Sequence, residues 1–417
     1  MPTIKLYTLG CKVNQYETQA IAGHFQAKGY RILENGKPVD TCLINTCTVT
    51  SRADTKSRNL IRYAIKENPR ARIIVTGCLI KDNIAEVREI KGISLIIPKS
   101  FFKDGIEKFS GHTRAFLKVQ DGCNNSCSYC KVPLARGRSR SRLPQDIICE
   151  ARSLVSNGFK EIVLCGICLG AFGRDLIPRI DLVDLIKELE KIDGLLRIRL
   201  SSIEAGDVSG ELIERMGESK KLCPHLHIPM QSGDDKILKN MQRRYARKDY
   251  LNLVQKIKRR IPKIAITTDI LVGFPGEDKN GFWNTVKLLR KITPLKTHIF
   301  PFSPRPGTPA FNFKNRPGAD IVKERIRRLK EISDTCSLKY LKRFLNHKMP
   351  VLIEGKSYDG LWEGYTDSYI RIRVRSKQNL QNRLAILSLK KIEKNLDKAN
   401  SFVYTCRLYK IPNIITA

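Results

Sequence analysis

From residue 4 to about residue 302, short apolar runs alternate with stretches of helical periodicity. That alternation restricts the chain to parallel α/β architectures. In the first 110 residues the strand runs are IKLYTLG (4–10), TCLINT (41–46), RIIVTG (72–77) and ISLIIP (93–98). Helical patterns at 14–29, 51–68 and 82–90 separate them, which predicts an open α/β sheet. Six further strand runs follow, at 115–120, 161–166, 197–202, 225–230, 264–274 and 296–302, with helical stretches between them. Six successive βα units predict a partial (βα)6 barrel with its active site at the carboxyl ends of the strands. Residues 318–346 read as a basic helical connector. After Pro350 only short strand runs remain, five in under 70 residues, which predicts a small antiparallel β-barrel. The fold class expected is therefore α/β multidomain.

Charge and cysteine content narrow the partners. Lys and Arg number 76 against 41 Asp and Glu, a net charge of +35. Such an excess points to a polyanion, nucleic acid above all. From residue 314 onward 23 basic residues face 10 acidic ones, so the grip is expected in the tail; a solvated basic surface is the plainer reading. No run reaches the ~18–20 apolar residues of a membrane helix, and MPTIKLYTLG lacks the apolar core of a signal peptide. A cytoplasmic chain with no membrane partner is expected. In that compartment 13 cysteines speak for metal or redox chemistry over disulfides.

Cys123, Cys127 and Cys130 form a C-x3-C-x2-C group on the loop after the first barrel strand. Three thiolates on one loop suit a soft metal centre. Structural zinc usually takes four ligands, and no fourth Cys or His follows nearby, whereas three would leave one iron of a 4Fe-4S cluster open. Cys11, Cys47 and Cys78 each directly follow one of the first three strands of the N-terminal sheet. Ligands of open parallel sheets bind beyond those strand ends, so the three can converge on a second cluster. The competing reading is three cysteines packed as small hydrophobes.

The segments TLGCKVNQYE, NTCTVT, TGC, QDGCNNSCSYCKVPLARGRSRSR, HIPMQSGDDKILKNMQRRY and TDILVGFPGE together resemble the methylthiotransferase family of radical S-adenosylmethionine (SAM) enzymes. The resemblance spans the chain in three parts. It implies an N-terminal methylthiotransferase domain (1–110), a radical SAM core (111–340) and a C-terminal TRAM RNA-binding domain (341–410). Lys12 to Glu17 after the first Cys, Thr48-Val49-Thr50 after Cys47, and GLWEGYTDSY in the tail resemble the branch acting on N6-threonylcarbamoyladenosine. That branch methylthiolates C2 of this nucleoside at tRNA position 37, next to the anticodon. The C2–H is neither acidic nor nucleophilic, and general acid–base help of ~10²–10⁴-fold creates no reactive carbon there. A cofactor must carry the hard step. The resemblance implies two 4Fe-4S clusters and SAM. The cluster on Cys123, Cys127 and Cys130 binds and cleaves SAM, and the one on Cys11, Cys47 and Cys78 supplies sulfur. It also implies two partners, the tRNA anticodon stem-loop and a low-potential electron donor.

Other site candidates follow from position within that family. Gln231, Ser232 and Gly233 follow the fourth barrel strand, and Thr268, Asp269, Gly273, Pro275 and Glu277 end the fifth. Both groups are expected to approach SAM, with turn chemistry as the alternative; Glu204 is a further contact by position. Arg136, Arg138, Arg140 and Arg142 alternate, so an extended stretch would point all four one way, toward the SAM carboxylate or tRNA phosphates. Arg243, Arg244 and Arg247 are candidates for the tRNA backbone, as are Arg371, Arg373 and Arg375 on one face of a tail strand. Cys165 and Cys168 stand where relatives commonly carry Thr and His, and a role outside metal binding is expected for both. Cys42, Cys149, Cys223, Cys336 and Cys406 read as packing residues, and His225 and His227 as barrel core. The rival functions are the same chemistry on isopentenyladenosine or a ribosomal-protein aspartate, and a non-catalytic RNA-binding protein with zinc.

Overall fold

A computed structural model describes residues 1–33, 38–102, 104–107, 109, 111–394 and 402–410. The first strands are β1 (Thr3–Thr8), β2 (Arg31–Ile32), β3 (Thr41–Thr46), β4 (Arg72–Gly77) and β5 (Leu95–Ile96). They pair in the order β2-β1-β3-β4-β5, every pair parallel. All six residues of the central β3 are buried, as expected of a strand covered on both faces. Ile61, Ala64, Ile73 and Val75 pack on one side, and Ile4, Ile21, Leu43 and Ile74 on the other. The Ser51–Glu67 helix shows why the local sequence obeys. Thr50 caps it by accepting the Ala53 N–H, and Ser57, Ile61 and Ala64 form its buried stripe.

The next strands are β6 (Arg114–Lys118), β7 (Gln120–Asp121), β8 (Arg140–Ser141), β9 (Glu161–Cys165), β10 (Arg197–Leu200), β11 (His225–His227), β12 (Ala265–Val272) and β13 (Lys296–Pro301). Two parallel triplets, β10-β9-β6 and β11-β12-β13, are joined by a parallel bridge between Ser202 and His227. The result is the expected partial barrel of six strands, with β6 and β13 at its edges. The short antiparallel ribbon β7–β8 closes the base of the Cys123–Cys130 loop through Gln120–Ser141 and Asp121–Arg140.

The last strands are β14 (Lys348–Lys356), β15 (Trp362–Thr366), β16 (Arg371–Val374), β17 (Leu384–Lys394) and β18 (Phe402–Lys410). They close a barrel in the order β14-β15-β16-β18-β17. Four of its pairs are antiparallel, as expected, and β16–β18 is parallel. Val351, Ile353, Trp362, Ile372, Leu387 and Tyr404 fill it, and Tyr340 and Leu341 of the Ala319–Lys342 helix pack against it.

This barrel plugs the amino-terminal mouth of the larger one. Glu161, fully buried at the start of β9, sits among three guanidiniums: Arg199 at 2.6 Å, Arg197 at 3.5 Å and Arg114 at 3.9 Å. Their other N–H groups reach across: Arg199 donates to the Asp367 carbonyl (2.8 Å) and Arg197 to that of Pro350 (2.8 Å). Arg114 pairs with Glu354 (2.5 Å). The Arg199 and Arg114 guanidiniums also lie over the rings of Tyr369 and Tyr365, at 4.8 and 4.9 Å. Burial pushes the Glu161 pKa up, but Arg199, Arg114 and Arg197 pull it down further, and the net direction is down. Glu161→Ala leaves the buried Arg197 and Arg199 guanidiniums without a carboxylate and Arg114 with Glu354 alone, and is expected to cost about 3–5 kcal/mol in urea unfolding. Because the folded pKa is depressed, the stability Glu161 contributes is present above its unfolded value near 4.5 and drains as pH falls below it. The variant should lack that acid-limb slope.

Candidate active site

Cys11, Cys47 and Cys78 line one small pocket with Asn14, Lys131 and Arg136. Each leaves the carboxyl end of a neighbouring strand, β1, β3 or β4, as the sequence predicts. Cys11 caps the Lys12–Ala27 helix and Cys78 opens the Cys78–Arg88 helix, so two of the thiols sit at helix amino termini. The positive ends of those dipoles favour anionic groups bound in the pocket. Ser57 holds the Cys47 backbone from both sides, accepting its N–H (3.1 Å) and donating to its carbonyl (2.8 Å). Two glycines make room. Gly77 (φ +112°) leaves no space for a Cβ, which would lie 2.3 Å from the Thr46 amide nitrogen, and at Gly10 (φ +115°) it would lie 3.1 Å from the Cys47 Sγ.

A buried charge network walls this pocket. Lys99 Nζ lies 3.4 Å from the Cys78 Sγ and donates to Asn14 (2.9 Å) and Glu17 (2.5 Å). Arg136 donates to Glu17 (2.9 Å), to Asp121 (2.8 Å) and to Asn14. Lys118 adds a pair with Asp104 at 2.5 Å. Burial raises the Glu17 pKa, but Lys99, Arg136 and Lys118 lower it by more. Burial likewise opposes ionisation of Asp121, yet Arg136 and Lys118 bring its pKa down to about 2. The expectation for Arg136 is therefore corrected. It ends a short helix, Val132–Arg136, instead of an extended run, and its guanidinium is spent on Glu17, Asp121 and Asn14. Arg142 is also turned inward, onto Glu150 and the Tyr16 hydroxyl, which leaves Arg138 and Arg140 exposed.

The second triad lies on the loop between β7 and that short helix. The Cys123 N–H donates to Gly137 O (3.1 Å), and Ser128 ties the loop to the Asn240 and Met241 carbonyls. The Asn125 N–H points at the Cys123 Sγ (3.4 Å), and Arg243 Nη1 at the Cys127 Sγ (3.4 Å). Hydrogen bonding to Cys168 brings the Cys123 thiol down to about 7, whereas burial pushes Cys130 up to about 12 and raises Cys127. Thiols that resist ionisation this way release protons when metal binds. Arg243 is 3% exposed in its side chain and ion-paired with Glu204, so it is corrected from a tRNA contact to an interior cation beside Cys127. Arg244 is exposed.

Of the SAM candidates, Glu204 shares a pocket with Cys127, Asn125, Asp207 and Arg243. Burial raises its pKa, and Arg243 only partly offsets this. Asp269 lines the barrel lumen 3.2 Å from His227 Nε2. Gln231 holds a left-handed backbone (φ 60°) and bridges Ile270. The others carry structure. Thr268 accepts the Met230 N–H and donates to Ile228 O. Ser232 and Gly233 meet Thr285, where a Cβ on Gly233 would lie 2.6 Å from the Thr285 Cα. Gly273 packs on Val322, and Glu277 pairs with Arg325.

Three groups were missed in the sequence: the Asn14–Glu17–Lys99 network, the Cys168 contact, and a lumen cluster. His227, Asp269 and His298 bring ligand atoms within 4.8 Å of one another, a spacing that could hold a metal ion. His227 and Asp269 were readable from strand alternation; His298 carried no local signal. In the tail, Arg371 and Arg373 both pair with Glu363, which cancels much of the expected basic face and leaves Arg375 exposed.

Two predictions follow from this geometry. Arg136→Ala removes a buried partner of Glu17 and Asp121 and is expected to cost about 3 kcal/mol in guanidinium unfolding. Burial, followed by repulsion from Lys296, lowers the His298 pKa to about 4 from 6.5. Between those values the unfolded chain binds more protons, so stability falls as pH is lowered through that window; His298→Gln should flatten the slope there.

The radical SAM superfamily profile matches residues 117–289, and that of uncharacterized protein family UPF0004 matches residues 3–97. The chain is 35% identical to the threonylcarbamoyladenosine tRNA methylthiotransferase MtaB of Bacillus subtilis (strain 168), over 94% of each protein. To the MtaB of Chlamydia pneumoniae it is 38% identical, over 84% of this chain and 87% of that one. A tRNA-2-methylthio-N(6)-dimethylallyladenosine synthase of Carboxydothermus hydrogenoformans is 36% identical, over 84% and 88%. Among solved structures, the radical S-adenosylmethionine methyltransferase TsrM from Kitasatospora setae, with cobalamin and a [4Fe-4S] cluster bound, superposes with a TM-score of 0.53. Its identity is 12% over 74% of this chain and 76% of that one, a likeness of fold alone.

Proposed function

The chain belongs to the methylthiotransferase family of radical SAM enzymes, and from that premise we propose that it methylthiolates C2 of N6-threonylcarbamoyladenosine at position 37 of tRNA. The observation that carries this reading is the pairing of two cysteine triads, one on the loop after β6 and β7 and one gathered from the ends of β1, β3 and β4. Relatives that act on threonylcarbamoyladenosine match over as much as 94% of the chain, which favours that nucleoside. Comparable identity to the dimethylallyladenosine synthases keeps that nucleoside as the second reading.

Cys123, Cys127 and Cys130 would hold the [4Fe-4S] cluster that binds SAM, and Cys11, Cys47 and Cys78 a second one. The donor sets fit: each is three thiols with a cation beside one of them, Arg243 at Cys127 and Lys99 at Cys78. When bound, these groups supply the one-electron cleavage of SAM and the sulfur to be transferred. The chain's own residues prepare the surroundings. Arg243 offsets the negative charge gathered at Cys127 and holds Glu204 in the same pocket. Lys99 does the same at Cys78, while Asn14 and Glu17 fix its amine. The Asn125 N–H orients the Cys123 sulfur. Asp269, aligned by His227, presents a carboxylate to the lumen and can accept hydrogen bonds from SAM or the base. Gln231 and Glu204 flank that space, and Ser232, Gly233, Thr268, Gly273 and Glu277 shape the turns that carry it. Arg138, Arg140, Arg244 and Arg375 are among the exposed cations and would meet tRNA phosphates. We place the reaction in the cytoplasm with a low-potential electron donor. No helix among the described residues is long and apolar enough to cross a membrane.

The test is anaerobic reconstitution with iron, sulfide, SAM, a reductant and tRNA bearing threonylcarbamoyladenosine, with nucleosides read by mass spectrometry. A methylthio group on that nucleoside is expected; transfer only to dimethylallyladenosine would move the assignment to the second reading. Replacing Cys11, Cys47 and Cys78 together with Ala should leave 5′-deoxyadenosine formation intact and abolish methylthio transfer. Cys123→Ala should abolish both.

A further inference from the structure

Cys168 follows β9 and has its backbone N–H on the Gln120 carboxamide oxygen (2.8 Å). The same carboxamide donates through its nitrogen to the Gly122 carbonyl (2.7 Å), one residue before Cys123. A single side chain therefore clamps the backbones that carry Cys168 and Cys123. Asn125 clamps their sulfurs: its backbone N–H meets the Cys123 Sγ (3.4 Å) and its side-chain amide the Cys168 Sγ (3.7 Å). Both sulfurs therefore lie against one residue, and Asp207 stands 3.6 Å behind Cys168. Cys127, by contrast, has its sulfur on Arg243. Cys168 is 6% exposed and Cys123 more open, so a small oxidant reaches Cys123 first.

We propose that Cys123 and Cys168 are an oxidative cross-linking site: peroxide joins them in a reversible disulfide that withholds Cys123 from cluster assembly. In the first step the Cys123 sulfur attacks hydrogen peroxide. The O–O bond breaks, Cys123 becomes a sulfenic acid, and one oxygen leaves as water. The Cys168 sulfur then attacks the Cys123 sulfur. The S–O bond breaks, the S–S bond forms, and the second oxygen leaves as water with the remaining thiol proton. The two sulfurs together lose two electrons and the peroxide gains them. A dithiol reverses the change by exchange. A sulfur already bound to iron is not available to this chemistry, so the cross-link and the cluster exclude one another. The inference rests on the assignment of Cys123 as a cluster ligand.

The experiment uses the full chain, freed of iron by chelation under anaerobic conditions and exposed to hydrogen peroxide. Non-reducing peptide mapping should find Cys123 joined to Cys168 as the dominant cross-link. Subsequent iron and sulfide reconstitution should load markedly less iron than untreated protein, and dithiothreitol should restore it. Cys168→Ser keeps the size and hydrogen bonding, and its iron uptake without peroxide should match wild type, which establishes that it folds. After peroxide, its Cys123 peptide should instead carry two or three added oxygens, and dithiothreitol should fail to restore iron uptake. Cross-links confined to Cys123, Cys127 and Cys130, or equal recovery in the variant, would overturn the proposal. If untreated protein takes up no iron, the cluster assignment itself fails. If iron loads but no cross-link to Cys168 forms, only the present inference does.

Discussion

The placement of the two cysteine triads depends on one buried ionic bridge, Arg136 to Glu17 and Asp121. Glu17 belongs to the helix that leaves Cys11, Asp121 to the strand before Cys123, and Arg136 to the helix after Cys130. One guanidinium thus reaches from the loop of one triad to the helix that bounds the other. A buried charge of this kind is a poor source of net stability, because desolvation consumes most of its attraction. Its use is directional. Bidentate geometry fixes the relative pose of two elements in a way that apolar packing does not. Arg305, with its ion pair to Asp54 (2.6 Å) and its bond to the Thr48 carbonyl (3.0 Å), repeats the device on the far side of Cys47.

These bridges also change what the net charge means. Some of the basic residues are turned inward, and Arg114, Arg136, Arg199 and Arg243 answer carboxylates that are buried or half-buried beside them. The charge that tRNA can feel is the remainder, and it is set by cations such as Arg138, Arg140 and Arg375 that have been left on the surface.

The elements and both cysteine triads were legible in the sequence for the same reason. Strand and helix periodicity is local, and a Cys directly after a strand inherits the position of the strand's end. What was not legible depends on partners distant in the chain. The Arg136–Glu17 contact spans 119 positions and Arg243–Glu204 spans 39. Alternation along RGRSRSR suggested one exposed row, because nothing local marks Arg136 as the end of a helix. Ser232, Gly233 and Glu277 looked like ligand contacts in a glycine-rich turn. Their neighbours Thr285 and Arg325 sit on helices supplied later in the chain, so the packing and pairing they make there had no local signal. The parallel β16–β18 pair was hidden likewise, since short alternating runs state that strands exist and not which of them meet.

That parallel pair sets an order of events for the newly made chain. β18 joins β16 on one side and β17 on the other, so the C-terminal barrel stays an open sheet with two bare edges until its last strand has been synthesised. The residues that seat on Arg114, Arg197 and Arg199 come from β14 and the β15–β16 turn, and they acquire fixed positions only when that ring closes. The mouth of the catalytic barrel is therefore sealed from its far end last, after both cysteine triads have already left the ribosome. During that interval Glu161 alone answers the guanidiniums of Arg114, Arg197 and Arg199, which face water where the C-terminal barrel will later sit.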